Sequence, residues 1–235
     1  MSAPSLETKA LVVRSVDSRE ADRIVTLLTE RAGLVAVVAR GVRNASKRLG
    51  GVVEPMHRLA VTITHPEREV ATLAEARVDA VRLGIGAHLE ATLVAGYWLR
   101  FARALAHPHG DDGSLFASTD GALALLEADA RRAPEVEHLV PFAMLAASGY
   151  ALELDACVAC GKVCPESRPS GIDGLRGGLV CRGCGAAPRV LSPALRETLR
   201  GAQRGSLDAL RPDDREAAAG LAQDVLRHHL GRTVR

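Results

Sequence analysis

A chain of 235 residues with 47% hydrophobic and 25% charged side chains has the makeup of a folded soluble protein, built as one large domain or a few small ones. The start, MSAPSLETKALVV, lacks a basic segment followed by a sustained apolar run, and the longest aliphatic run, GLVAVVA, is too short to span a bilayer. A secreted or membrane-bound protein is therefore not expected, a cytoplasmic one is, and a net charge of +2 leaves any argument about partners to the local distribution of charge.

From residue 7 to about 80 the pattern is β. The segments TKALVVRSV, DRIVTLLTE, LVAVVARGV, VEPMHRLAVTIT and EVATLAEARV are rich in β-branched residues and separated by polar turns. Five short strands in this length predict a small antiparallel barrel of the OB type, with residues 1–82 as one domain. A short sandwich is the alternative.

Within it, ARGVRNASKRLGG (residues 39–51) places Arg40, Arg43, Lys47 and Arg48 in nine residues with no acidic side chain. A lone cluster of this kind reads equally as a solvated basic turn, and arginine supplies 27 of the 30 basic residues throughout the chain. On the loop of an OB-type barrel it reads instead as a set of phosphate contacts.

From Gly84 the period lengthens. In GIGAHLEATLVAGYWLRFARALAHP, Ile85, Leu89, Leu93, Tyr97, Phe101 and Leu105 recur every four residues, Val94 and Trp98 widen the stripe, and Pro108 closes the helix. LFASTDGALALLEADARRA and EVEHLVPFAMLAASGYALE continue the helical pattern, with Pro141 kinking or restarting the second. Beyond the cysteines, Ser192 and Pro193 open one helix as N-cap and first residue. DDREAAAGLAQDVLRHHLG supplies a last one ended by Gly231. Residues 83–153 and 190–235 form the predicted helical domain.

All five cysteines lie between these two parts, in CVACGKVCPESRPSGIDGLRGGLVCRGCG. Two C-x-x-C turns, Cys157–Cys160 and Cys181–Cys184, supply the four soft ligands of a structural zinc ion, and the Gly/Pro-rich loop between them suits a strap. Residues 154–189 are thus expected to form a zinc ribbon inserted into the helical domain. A redox pair or a disulfide would leave the second C-x-x-C unexplained. Cys164 also has a ligand-like spacing from Cys160 and could replace Cys157, but the symmetric pairing is preferred.

Four thiolates leave no open position for catalysis. His88-Leu89-Glu90 has the H-x-E form of a zinc deaminase, yet no proline precedes Cys157 and two cysteines would go unused. The chain contains no P-loop, dinucleotide loop or local triad signature. A binding protein without small-molecule substrate is expected. The competing readings are a zinc-dependent nucleic-acid-processing enzyme, which turnover would reveal, and a zinc-stapled helical adaptor without DNA affinity.

Taken in order, ALVVRS…READRIVTLLTERAGLVAVVARGVR, the paired cysteines with GLRGGLVC, and RHHLGRTVR resemble the RecO family of bacterial recombination mediators over nearly the full length. The resemblance implies an OB domain, a helical domain and, in many members, a four-cysteine zinc ribbon. It implies binding to single- and double-stranded DNA, annealing of complementary strands coated with single-stranded-DNA-binding protein (SSB), and loading of RecA together with RecR. Arg40 and Arg43 match basic positions of the family, Lys47 and Arg48 follow where members vary, and Cys157, Cys160, Cys181 and Cys184 match the ligand positions. The acidic, apolar C-terminal tail of SSB is an expected partner, with Arg100 and Arg103 as candidate contacts.

One feature stands apart from the resemblance: residues 1–83 contain no Phe, Tyr or Trp. Stacking of bases on aromatic rings, common in OB-type single-strand sites, is therefore not expected on the barrel, and binding there should be mainly electrostatic.

Overall fold

A computed structural model describes residues 4–18, 22–42, 52–231 and 233–234. Contacts divide the chain into two compact units, Met1–Ala130 and Arg131–Arg235.

In the first unit, strands β1 (Ser5–Ser18), β2 (Asp22–Thr29), β3 (Gly33–Ala39), β4 (Arg58–Thr64) and β5 (Ala71–Ala80) close a barrel in the order β1-β2-β3-β5-β4. Strict alternation drives it. Val35, Val37 and Ala39 of β3, and Leu59, Val61 and Ile63 of β4, point inward while their neighbours face out. The long β1 serves two partners, β4 through Ser5–Leu11 and β2 through Ala10–Ser18. An irregularity between Val12 and Arg14 turns it from one to the other. A short parallel pairing of β3 with β5, Val37 opposite Ala71 and Val38 opposite Thr72, completes the ring. This is the OB-type barrel that the strand pattern predicts. The fourth segment pairs only from Arg58 onward, though Val53 before it is fully buried. The core is wholly aliphatic, with Leu27, Val37, Leu59 and Ile63 at its centre.

Three helices belong to the same unit: α1 (Leu83–Gly86), α2 (Leu89–Leu105) and α3 (Gly113–Ala128). They grip the barrel at two places. Asp120 of α3 accepts hydrogen bonds from Arg58 of β4 and from Arg82, whose buried guanidinium also donates to the Met56 carbonyl at 2.6 Å. At the β2–β3 turn, the Leu34 N–H donates to the His107 carbonyl at 3.0 Å. The helix expected from Gly84 is broken in two, because α1 ends at Gly86 and α2 starts only at Leu89.

The four-residue stripe is also not the core face. Phe101 and Leu105 are buried, but Leu89 and Leu93 are 76% and 63% exposed. A row of i, i+4 positions drifts by about 40° around the axis at each step, so a row started toward the core at one end of a long helix leaves it at the other. The buried face runs instead through Ala91, Val94, Ala95, Trp98, Leu99 and Ala102.

The second unit contains α4 (Ala133–Val136), α5 (Val140–Ala147), a small sheet of β6 (Ser170–Asp173), β7 (Gly178–Val180) and β8 (Arg189–Leu191), then α6 (Pro193–Gln203) and α7 (Arg215–Leu230). Pro141 sits in the first turn of α5, so it restarts the helix. Ser192 caps α6, its Oγ accepting from the Leu195 N–H at 3.0 Å, and Gly231 ends α7 with φ 61°. Among the described residues, no helix is long and apolar enough to cross a membrane.

Candidate metal centre and nucleic-acid interface

The sulfur atoms of Cys157, Cys160, Cys181 and Cys184 lie within 4.8 Å of one another. Cys160 Sγ and Cys181 Sγ are 3.7 Å apart, close to the edge of about 3.8 Å that a tetrahedral ion with zinc–sulfur bonds of about 2.3 Å requires. Backbone geometry presents them. Gly161 (φ 72°) and Gly185 (φ 119°) follow the two C-x-x-C turns in conformations that side chains rarely adopt. The Cys181 N–H donates to Cys157 Sγ at 3.3 Å.

Without a cation the cluster cannot hold four negative charges. Backbone N–H donors, that of Cys181 foremost and then that of Ala159, pull the Cys157 thiol down to about 6. The neighbouring Cys160 and Cys181 sulfurs push Cys184 up to about 12. A divalent ion removes this conflict, since coordinated thiols deprotonate outright. The donor set fits zinc.

Cys164 lies outside the cluster. It is buried, its Sγ is 3.8 Å from the Lys162 carbonyl, and burial raises its pKa.

The first C-x-x-C turn is stitched into the sheet through the segment before it. The Leu179 N–H donates to the Glu153 carbonyl at 3.0 Å, and the Val158 N–H to the Leu179 carbonyl at 2.9 Å. A second hold comes from α6. Arg196 is only 2% exposed, and its guanidinium donates to the carbonyls of Leu154 (2.6 Å), Cys164 and Pro165 (both 3.1 Å). One turn on, Arg200 pairs with Asp155 at 2.6 Å and with Glu166 at 3.2 Å. Gln203 then donates to the Leu152 carbonyl and accepts from its N–H, at 3.1 and 2.6 Å. These three side chains, at positions i, i+4 and i+7, grip the backbone that carries the first metal turn. In the sequence, LRETLRGAQ has the pattern of an ordinary amphipathic helix, with arginines at helical spacing beside the apolar Leu195, Leu199 and Ala202, and nothing in it marks these side chains as a clamp.

On the barrel, Arg40 follows β3 and is exposed, at the mouth of an open groove lined also by Ser18, Asp22, Ile24, Val38 and Val70. Arg43, Lys47 and Arg48 lie outside the described residues. Elsewhere in the unit, burial and then the charges of Arg14 and Arg100 depress the pKa of Arg103, so three cations from β1 and α2 gather in one neighbourhood.

An OB-type barrel with an attached helical hairpin, followed by helices and a cluster of four cysteines positioned to bind a metal ion, defines a class of multidomain scaffold. Two family models divide the chain between them: Recombination protein O N terminal matches residues 1–81, and Recombination protein O C terminal matches residues 87–235. The chain is 35% identical to a DNA repair protein RecO of Myxococcus xanthus, over 96% of this chain and 93% of that protein. It is equally similar, at 35%, to one of Anaeromyxobacter sp. over 97% and 93% of the two chains, and 30% identical to one of Frankia casuarinae over 99% and 96%. The chain belongs to the recombination protein O family of DNA repair proteins.

Proposed function

We propose that this protein is a non-catalytic recombination mediator that binds DNA through its barrel, anneals complementary strands and, with RecR, promotes loading of RecA onto SSB-coated single strands. The observation that carries this is the OB-type barrel bearing the basic 40–48 segment between β3 and β4, in a chain of a DNA repair family. Arg40, Arg43, Lys47 and Arg48 contact phosphates and accept single and double strands alike, because such contacts carry no sequence information.

Residues 1–82 act as the DNA-binding domain, residues 83–153 and 190–235 as the helical domain, and residues 154–189 as a ribbon. Zinc, held by Cys157, Cys160, Cys181 and Cys184, would supply cross-linking of the ribbon and no reactive water, since four sulfurs fill a tetrahedral shell. The acidic tail of SSB is a further proposed partner, with Arg100 and Arg103 of α2 as candidate contacts. The protein works in the cytoplasm at the nucleoid.

A strand-annealing assay tests the reading. Complementary strands coated with SSB should pair faster with the protein than without it, with no strand cut or chemically altered. No acceleration, or turnover of the DNA, overturns it.

A further inference from the structure

The outer face of α2 carries large aliphatic side chains that the core does not use. Leu89 and Leu93 stand in solvent, and Leu83 of α1, shortly before them, is 71% exposed. Single exposed leucines are ordinary, but two of them one helical turn apart begin a continuous apolar strip. Gly96 and the exposed Arg100 extend it. Positions 89, 93, 96 and 100 follow the i, i+4, i+7, i+11 spacing of one helix face.

The fold of the chain itself does not account for Gly96. Glycine inside a helix is less favourable than alanine. Here, apart from the helix's own backbone, an added Cβ would meet only the flexible tip of Arg100, at 3.4 Å. The strip therefore has a bare notch midway along it, where a second helix can approach closely. The row is also complementary to itself. About a midpoint between Val94 and Ala95, Leu93 mirrors Gly96 and Leu89 mirrors Arg100. Two copies of α2 laid antiparallel across that midpoint put the Leu93 of each into the Gly96 notch of the other. The same register brings Glu90, exposed in the first turn of the helix, beside the Arg100 of the second copy. Within one helix these two charges lie about 15 Å apart along the axis and cannot pair. A parallel arrangement would set Glu90 against Glu90 and Arg100 against Arg100.

We infer that this face of α2 joins two copies of the chain in a reversible two-fold dimer. Leu89, Leu93 and Gly96 form its centre, and a Glu90–Arg100 pair closes it on either side of the two-fold axis. The inference does not depend on the DNA-binding reading. Arg100 is also the candidate contact for an acidic tail, so the two occupants would exclude each other.

Sedimentation equilibrium of the full-length protein tests it, under reducing conditions so that the exposed Cys160 cannot link copies. The wild type should pass from monomer to dimer between about 1 and 100 µM, as a small interface allows. Leu93→Glu changes a solvent-exposed position, so it should melt as the wild type does and stay monomeric throughout. Glu90→Arg and Arg100→Glu should each weaken dimerisation at least about tenfold, because each sets like charges together twice in one dimer. The two changes combined should restore nearly the wild-type association. A wild type still monomeric at about 100 µM overturns the inference. So does a dimer that survives Leu93→Glu, or single charge reversals that have no effect or are not rescued by the combined variant. If Leu93→Glu fails to fold, Gly96→Gln fills the notch instead, and a dimer that survives it overturns the inference equally.

Discussion

The barrel and the cysteine ribbon reach stability by opposite routes. The barrel encloses an aliphatic core shared by all five strands, with its polar groups paired in a closed ladder. The ribbon's three strands have three or four residues each, and its buried apolar residues are few, chiefly Ile172, Leu179, Val180 and Leu191. Such a segment cannot offset its own chain entropy by burial. The polar face of α6 holds it on one side, and a metal ion on its four cysteines would hold it on the other. Such staples would stand where the barrel has hydrocarbon, so the two regions should fail under different insults.

Metal removal should have the largest effect. Elemental analysis should give about one zinc per chain, and structural zinc contributes on the order of 10–16 kcal/mol in small zinc-binding peptides. Chelation or Cys157→Ser should therefore abolish hydrogen-exchange protection in residues 153–191 and leave the barrel strands protected. Lowering the pH should act in the same direction, because protons compete with the metal for sulfur. Cys164→Ser should keep the metal, and loss of zinc in that variant would reassign the ligands.

A smaller but still large effect is expected of Arg196→Met. It fits a similar volume but removes the donor to the carbonyls of Leu154, Cys164 and Pro165. Leu154 keeps Arg200 and Pro165 is exposed, so the cost falls chiefly on the buried Cys164 carbonyl, at about 1–3 kcal/mol. The variant should melt earlier and give up zinc to a chelator faster. Unchanged zinc retention would show that the α6 clamp does not support the metal turn.

The comparison also explains what could be read in the sequence. Strand alternation and the two C-x-x-C turns are local patterns, and both the OB-type barrel and the sulfur cluster follow from them. The α6 clamp was not legible because arginines on an amphipathic helix ordinarily face water, and only the carbonyls brought to Arg196 from some 30 to 40 positions earlier make burial favourable. Leu89 and Leu93 misled for a related reason: their spacing marks a row on the helix, and which end of that row meets the core is settled by tertiary packing. The groove beside Arg40 was equally hidden. Ile24 and Val38 read as strand interior in one dimension, and register alone shows that they share the outer face.

The salt dependence of single-strand affinity tests the central claim, that DNA is held on the barrel through phosphate contacts, most directly. Log affinity against log salt should be measured for the full-length wild type and for the variant with Arg40, Arg43, Lys47 and Arg48 all replaced by alanine. Four lost contacts at about 0.7 each predict a slope shallower by about 3 in the variant, with affinity lowered similarly across unrelated sequences. A folded variant with the wild-type slope and affinity would contradict the account and place the DNA on another surface.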